Sequence, residues 1–377
     1  MPPATEMTEV QDDTLQIGQY QKGVKQLYDK GVNRVPYKYI LPVQERPGTT
    51  HAEFDIIAKE NIKLPVIDFI ELQGSCRQQI LKSLADACEQ YGFFQVVNHG
   101  IPSGVISNMI NVAKKFFELP YEERSKYMSS DMNASVRYGT SFNQNKDSVF
   151  CWRDFLKLMC DPLTDVLPHW PSRPTDFRHS AATYVKETKY LFLTLMQAVL
   201  ESLLLGTTTC KTEEDDEILR EFEHGGQLMA VNCYPPCPEP DLTLGMPPHS
   251  DYGFLTLLLQ DEVEGLQIQH QGEWVNVEPI ANAFVVNLGD HLEIFSNGRY
   301  KSVLHRVVVN SDKNRISVAS LHSLPFTSMV RPWAKLINEA NPRRYKDTNF
   351  ASFMEYIISC EPRKKEFLES RKIDLLS

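Results

Sequence analysis

Three absences narrow the possibilities before any motif is considered. The eight cysteines (positions 76, 88, 151, 160, 210, 233, 237 and 360) show no paired spacing. That excludes a disulfide framework and points to reduced thiols in a reducing compartment. Cys233 and Cys237 share "NCYPPCP", but with two prolines between them and no second Cys/His pair nearby the ligands are too few for a structural zinc. Basic clusters are missing too. A formal net charge of −10 argues against a nucleic-acid partner, whose phosphates call for positive patches. Long apolar runs are also lacking: the longest, Tyr190–Leu205, is interrupted by Gln197 and Glu201 and reads as an amphipathic core helix rather than a membrane span. The opening "MPPATEMTEVQDDT" has neither an apolar signal core nor the Arg/Ser richness of a transit peptide. A cytoplasmic monomer with a small-molecule substrate, and with no membrane or nucleic-acid partner, is the expectation.

What is present is the balance of a globular protein, with 42% hydrophobic and 23% charged residues in 377. A chain of this length buries most of its surface without covalent staples. Residues 1–62 read as an extension, disordered over 1–15, with a short helix stopped at Gly31 and a loop at "RPGTTHAEFD". "KLPVIDF" and "FFQVVNHGI" read as strands, separated by a helix whose apolar stripe runs from Ile80 to Tyr91 and stops at Gly92. Val105 to Phe117 is a helix ended by Leu119–Pro120. The stretch 130–175 reads as loop-rich with scattered aromatics. A long helix follows, with Val185, Phe192, Met196, Val199 and Leu203 on one stripe, and the acidic run Glu213–Glu217 reads as a turn or helix start.

From Gln227 the period changes. "QLMAVNCY", "LTLLLQ", "GLQIQH", "EWVNVE", "AFVVNLGD", "SVLHRVVVN" and "RISVASLHS" are seven short strands separated by turn residues, which suggests a sandwich or barrel. Helices return after Trp333. No repeat or long linker divides the chain. The segments are therefore 1–62, 63–175, 176–226, 227–330 and 331–377, a mainly β core wrapped by N- and C-terminal helices.

Within that core "PPHSDYGFLTLLLQ" places His249 and Asp251 two apart at the head of an apolar run, and residues i and i+2 of a strand share a face. "SVLHRVVVN" places His305 among Val303, Val307 and Val309, where a buried imidazole needs a partner. Singly, a strand histidine is ordinarily a hydrogen-bonded core residue. Together, two histidines and a carboxylate make the facial triad that leaves positions open on a non-haem Fe(II). On the next strand Arg315, Ser317, Ala319 and Leu321 share a face, where the arginine is a fork suited to a carboxylate or a rim salt bridge. Asn232 and Tyr234 offer an amide and a hydroxyl at i and i+2. The conjunction describes iron plus a bidentate 2-oxo acid.

HxD, a distant His, RxS ten residues beyond it, and "NCYPPCP" ahead of them resemble the plant 2-oxoglutarate/Fe(II)-dependent dioxygenase family. "LPVIDF", "YGFFQVVNHGI" and "FFELPYEER" are similar to its N-terminal region (here 63–175). "GLQIQHQGEWVNVEP", "VVNLGD" and "SNGRYKSVLHRVVVN" are similar to its double-stranded β-helix (jelly-roll) core (227–330). "TSFNQNKDSVFCWRDFLKL" is similar to the downy-mildew-resistance-type oxygenases. The resemblance implies Fe(II) bound by His249, Asp251 and His305, and 2-oxoglutarate held by Arg315 and Ser317 with Tyr234 and Asn232. It implies O2 as co-substrate, ascorbate as reductant, and release of succinate and CO2 as a small, largely apolar metabolite or hormone is oxidised, most simply by hydroxylation.

Two departures bear on the substrate. Leu321 stands where flavonoid-processing members carry a phenylalanine, and Ala230 where anthocyanidin-synthase-like members carry a lysine; both weaken a flavonoid assignment. Tyr138, Phe142, Phe150, Tyr252, Leu321 and Phe326 are candidate pocket walls. His99, His291 and His322 read as structural, and Asp290 as a turn or cap residue. The alternatives are an ascorbate-dependent oxidase of the aminocyclopropane-carboxylate type, or a small-molecule receptor that keeps the metal site for structure.

Overall fold

Alternation of apolar and polar residues from Gln227 onward builds most of two sheets, but the larger sheet reaches back into the first half of the chain. A computed structural model describes residues 22–48, 63–142, 147–205, 213–359 and 365–373. The disorder expected at 1–15 and most of the "RPGTTHAEFD" loop lie outside the described residues. The strands are β1 (Val66–Asp68), β2 (Phe93–Val97), β3 (Val136–Thr140), β4 (Asp154–Met159), β5 (Gln227–Tyr234) and β6 (Met246–His249). They continue with β7 (Leu255–Gln260), β8 (Leu266–His270), β9 (Glu273–Asn276), β10 (Phe284–Leu288), β11 (His305–Val307) and β12 (Arg315–His322). Eight of them run in the order β1-β2-β10-β7-β12-β5-β4-β3, and four in the order β6-β11-β8-β9.

The two sheets face one another as a double-stranded β-helix. Phe93 and Val285 of the large sheet meet Leu266 and Ile268 of the small one in a shared apolar cluster. Helices cover the outer face of the large sheet. Phe177–Leu203 buries a stripe that includes Val185, Phe192, Met196 and Val199, and it packs against helices Arg77–Gln90 and Ser103–Glu118. Gly92 stops the first of these at φ 62, and a Cβ there would sit 2.2 Å from the Lys301 carbonyl. The jelly-roll core with flanking helices is thus as expected, and the acidic run opens the helix Glu213–Glu223.

Two expectations are corrected. The 227–322 stretch holds eight strands rather than seven; the extra one, β6, contains Pro247 and Pro248, which argue against a strand because proline cannot donate to a ladder. It survives because it lies at the edge of the small sheet. The loop-rich 130–175 stretch contains β3 and β4, which extend the large sheet beyond β5. The short helix expected before Gly31 is present as Val24–Asp29, and it docks on β5 and the start of β4. Its first two amides, of Val24 and Lys25, donate to the Asp154 carboxylate at 2.7 and 3.1 Å.

Candidate active site

His249 closes β6, and its Cα is registered opposite that of His305, the first residue of β11. Asp251 lies two residues on, in the turn before β7, so the pair does not head the apolar strand. The same-face reasoning for a continuous strand does not apply. Instead, edge pairing sets the imidazoles together, with ring centroids 4.1 Å apart, and the turn brings the carboxylate to both. Asp251 Oδ1 is 3.9 Å from Nε2 of each histidine. Its other oxygen is engaged by Thr256 Oγ1 at 2.6 Å and Asn287 Nδ2 at 2.7 Å.

The protonation pattern follows from the partners. His249 Nδ1 meets the Pro247 carbonyl at 2.8 Å, and His305 Nδ1 meets the Val303 carbonyl at 3.3 Å. A carbonyl only accepts, so Nδ1 of each ring carries a proton, and Nε2 is the nitrogen turned toward Asp251. Burial, reinforced by the neighbouring His305, pushes His249 down to about 3. Burial acts upward on Asp251, but His305, His249, Asn287 and Thr256 together outweigh it and hold its carboxyl below the usual value. Two imidazoles and a carboxylate, with one ligand atom from each within 4.8 Å of the others, are the donor set that suits Fe(II).

This cluster lines a cavity of about 410 Å³ between the sheets. Arg315, Ser317, Ala319 and Leu321 face it from β12, and Asn232 and Tyr234 face it from β5. The register sets Tyr234 opposite Arg315 and Asn232 opposite Ser317. Arg315 Nε donates to the Val263 carbonyl at 3.1 Å and Nη2 to Gln260 Oε1 at 2.9 Å. Its Nη1 is buried with no partner among the described residues. Gly265 lets the chain press on this side chain, since a Cβ there would lie 3.1 Å from Arg315 Cδ. An orphaned cationic donor in a buried wall is costly unless something accepts from it. A carboxylate would, so these residues fit a dicarboxylate co-substrate that also reaches the metal.

Of the six residues expected to wall the pocket, Phe142, Tyr252, Leu321 and Phe326 line the cavity. Tyr138 and Phe150 do not. Tyr138 occupies the opposite face of β3, where its hydroxyl accepts from Arg124 Nη1 at 2.8 Å and donates to Asp154 at 2.9 Å. Phe150 packs edge-on against Tyr39 in the cluster under the N-terminal helix. His99 contacts the Asn282 carbonyl at 2.8 Å, His291 contacts Ser323 Oγ at 3.2 Å, and His322 stacks on Phe192. Asp290 begins a helical turn and accepts from Ser302 and Ser250.

Two groups of lining residues escaped the sequence reading. One is Arg137 on β3, with Phe155 and Lys157 on β4 and Arg153 just before it. Their signal was the alternation in "RDFLKLM", hidden by cations at the inward positions. The other is Phe350, Phe353, Met354 and Ile357 of the C-terminal helix Phe350–Ser359, whose helical spacing gave no hint of which surface it covers.

A triad suited to iron and a waiting fork for an oxo acid place the protein among non-haem oxygenases. Comparison with known proteins makes the class specific. Residues 225–323 match the 2OG-Fe(II) oxygenase superfamily, and residues 64–176 match the N-terminal region described as non-haem dioxygenase in morphine synthesis. DMR6-like oxygenase 2 of Arabidopsis thaliana is 41% identical over 326 residues, covering 86% of this chain and 90% of its own. Flavanone 3-dioxygenase 2 of Oryza sativa is 41% identical over 336 residues, covering 89% and 93%. The crystal structure of JOX2 in complex with 2OG, Fe and JA superposes with a TM-score of 0.81 at 31% identity, covering 93% of this chain and 97% of that one. The chain belongs to the plant 2-oxoglutarate/Fe(II)-dependent dioxygenase family. It is an enzyme of that family, with iron and 2-oxoglutarate as its cofactors.

Proposed function

We propose that this dioxygenase oxidises a small, largely apolar plant metabolite or hormone, most simply by hydroxylation, with His249, Asp251 and His305 as the iron ligands. Arg315 and Ser317 seat the far carboxylate of 2-oxoglutarate, with Tyr234 and Asn232 beside them. When bound, iron and 2-oxoglutarate supply the oxidation: substrate, 2-oxoglutarate and O2 give hydroxylated product, succinate and CO2. The chain's own residues do the positioning. Thr256 and Asn287 fix which carboxylate oxygen of Asp251 is offered, and the Pro247 and Val303 carbonyls fix the tautomer of each imidazole. Tyr252, Leu321 and Phe326 border the space left for substrate and keep it largely dry.

The observation that carries this reading is the unpartnered Nη1 of Arg315 in the same cavity as the His/Asp/His cluster. Relatives named for flavanone and for auxin oxidation support a small-molecule substrate. Among the described residues no helix is long and apolar enough to cross a membrane. The test is anaerobic loading with Fe(II) and 2-oxoglutarate, then exposure to a plant metabolite extract and O2. Product gaining one oxygen, matched by succinate and abolished in His249→Ala, is the expected result. Product formation that proceeds without 2-oxoglutarate, or that survives His249→Ala, overturns it.

A further inference from the structure

The β3–β4 wall of the cavity carries three cations that the oxidation chemistry does not use. By register Arg137 stands opposite Lys157, and Lys157 stands opposite Ala230, whose methyl leaves the space before the ammonium open. Arg137 and Arg153 flank the Phe155 ring, their guanidinium carbons 5.1 and 5.0 Å from its centroid. Both arginines are 6% exposed and Lys157 is half-buried. Among the described residues all three donate only to neutral acceptors. Arg137 meets the Ser129 and Phe142 carbonyls at 2.9 and 3.0 Å. Arg153 meets Asn232 Oδ1 and the Ser141 carbonyl at 3.2 and 2.9 Å, leaving its buried Nε unpartnered. Lys157 Nζ meets the Met132 carbonyl at 2.7 Å. Among the described residues none of the three forms a salt bridge, and burial followed by the charge of Arg137 pushes Lys157 down to about 8.

Asp131 and Asp147 lie near enough to favour the charged forms, but neither is in contact with these cations among the described residues. Sequestering three like charges without direct pairing is expensive, and a bound anion would offset the cost. Arg315 lies on β12, separated from this wall by β5, so a co-substrate carboxylate seated there leaves Arg137 and Lys157 unmet. Among the described residues Arg137 Nη1 and two Lys157 protons remain uncommitted, a number of donors that suits a carboxylate. Around them the cavity is apolar, bordered by Phe142, Leu228, Leu321, Phe326 and Phe353.

We infer that the substrate is an apolar carboxylic acid, its carboxylate held by Lys157 and Arg137 and its body lying toward Phe326 and Phe353. This deepens the functional reading above and rests on it for the chemistry. The test uses the full chain loaded with Mn(II), titrated calorimetrically with and without saturating 2-oxoglutarate. The probes are cinnamate, 1-naphthylacetate and octanoate, each beside its primary amide. At least one acid should bind about tenfold or more tighter than its amide, the size of a charge-assisted pair of hydrogen bonds. Lys157→Met and Lys157→Gln should abolish that preference and Lys157→Arg should keep it, with 2-oxoglutarate affinity equal in all. Acids that bind no tighter than their amides, or a preference that survives in Lys157→Met, overturn the subsite. So does a loss of 2-oxoglutarate affinity in Lys157→Met, which would assign the lysine to the co-substrate. A wild-type chain that fails to bind 2-oxoglutarate sinks the oxygenase reading instead, and the acid–amide comparison made without it still decides the subsite.

Discussion

Lys157 shows how one side chain links stability, pH and recognition. Its folded-state value of about 8 lies below the usual 10.5. The charged groups that act on it are Arg137, which lowers it, and Asp131, which raises it, while β5 opposes it only with Ala230. Between pH 8 and 10.5 the unfolded chain holds a proton that the folded chain has lost, so the cost of this lysine is full below pH 8 and fades as pH rises. Lys157→Met should therefore raise the melting temperature of the ligand-free protein at pH 7, by about 1–2 °C, and the gain should vanish near pH 10.5. Acid binding should follow the opposite course, strong at pH 7 and weakening above about 8, while Lys157→Arg stays flat through that range. A pH-independent acid affinity in the wild type would refute the assignment. At this scale the sequence was uneven. His249, Asp251, Arg315 and Ser317 stood out because their chemistry is unusual at close spacing. Tyr138 is a candidate wall because aromatics suggest pockets, yet alternation along β3 turns it away and brings its neighbour Arg137 to the cavity instead.

Short elements decide how well the triad is aimed. β6 has four residues, two of them proline, and yet it sets His249 against His305. Its proline content hid it from the sequence, whereas the apolar run of β7 was plain. Asp251 belongs to neither strand and depends on β7 and β10 for its orientation, through Thr256 and Asn287. Asn287→Ala should weaken metal binding by roughly 10–100-fold without touching a ligand. Co(II) titration followed by its visible absorption checks this, and unchanged affinity would show that Thr256 alone suffices. A different short element, the helix Val24–Asp29, is anchored by Asp154, whose carboxylate also meets Tyr138 and lies 3.8 Å from buried Arg124. Removing it orphans the Val24 and Lys25 amides and the Tyr138 hydroxyl and leaves buried Arg124 only the Asp29 carboxylate, 3.8 Å away, so Asp154→Ala should cost about 3–5 kcal/mol in urea unfolding. A loss below about 1 kcal/mol would mean that water replaces the carboxylate without penalty.

Across the whole molecule, the cavity gathers residues from Phe93 to Ile357, and no contiguous half of the chain contains it. The strand order explains this, because β2 lies beside β10 and β4 beside β5, which places early strands within the later sheet. The sequence displayed the β-rich block, but β3, β4 and the C-terminal helix join it only through long-range pairing that local pattern does not encode. Tyr252 stacks on Phe353 and Phe326 on Phe350, so the helix Phe350–Ser359 is fastened to the turn that carries Asp251. Occupation of the site should therefore stabilise the entire fold. A ligand at a hundredfold excess over its dissociation constant contributes about 2.7 kcal/mol if it binds only the native state. Mn(II) and then 2-oxoglutarate should each raise the melting temperature, and a chelator should reverse both steps. Arg315→Met should keep the metal increment and lose most of the 2-oxoglutarate increment, whereas His305→Ala should lose both. If Arg315→Met retained the full second increment, the buried Nη1 would have some other partner, and the co-substrate would have to be seated elsewhere in the cavity.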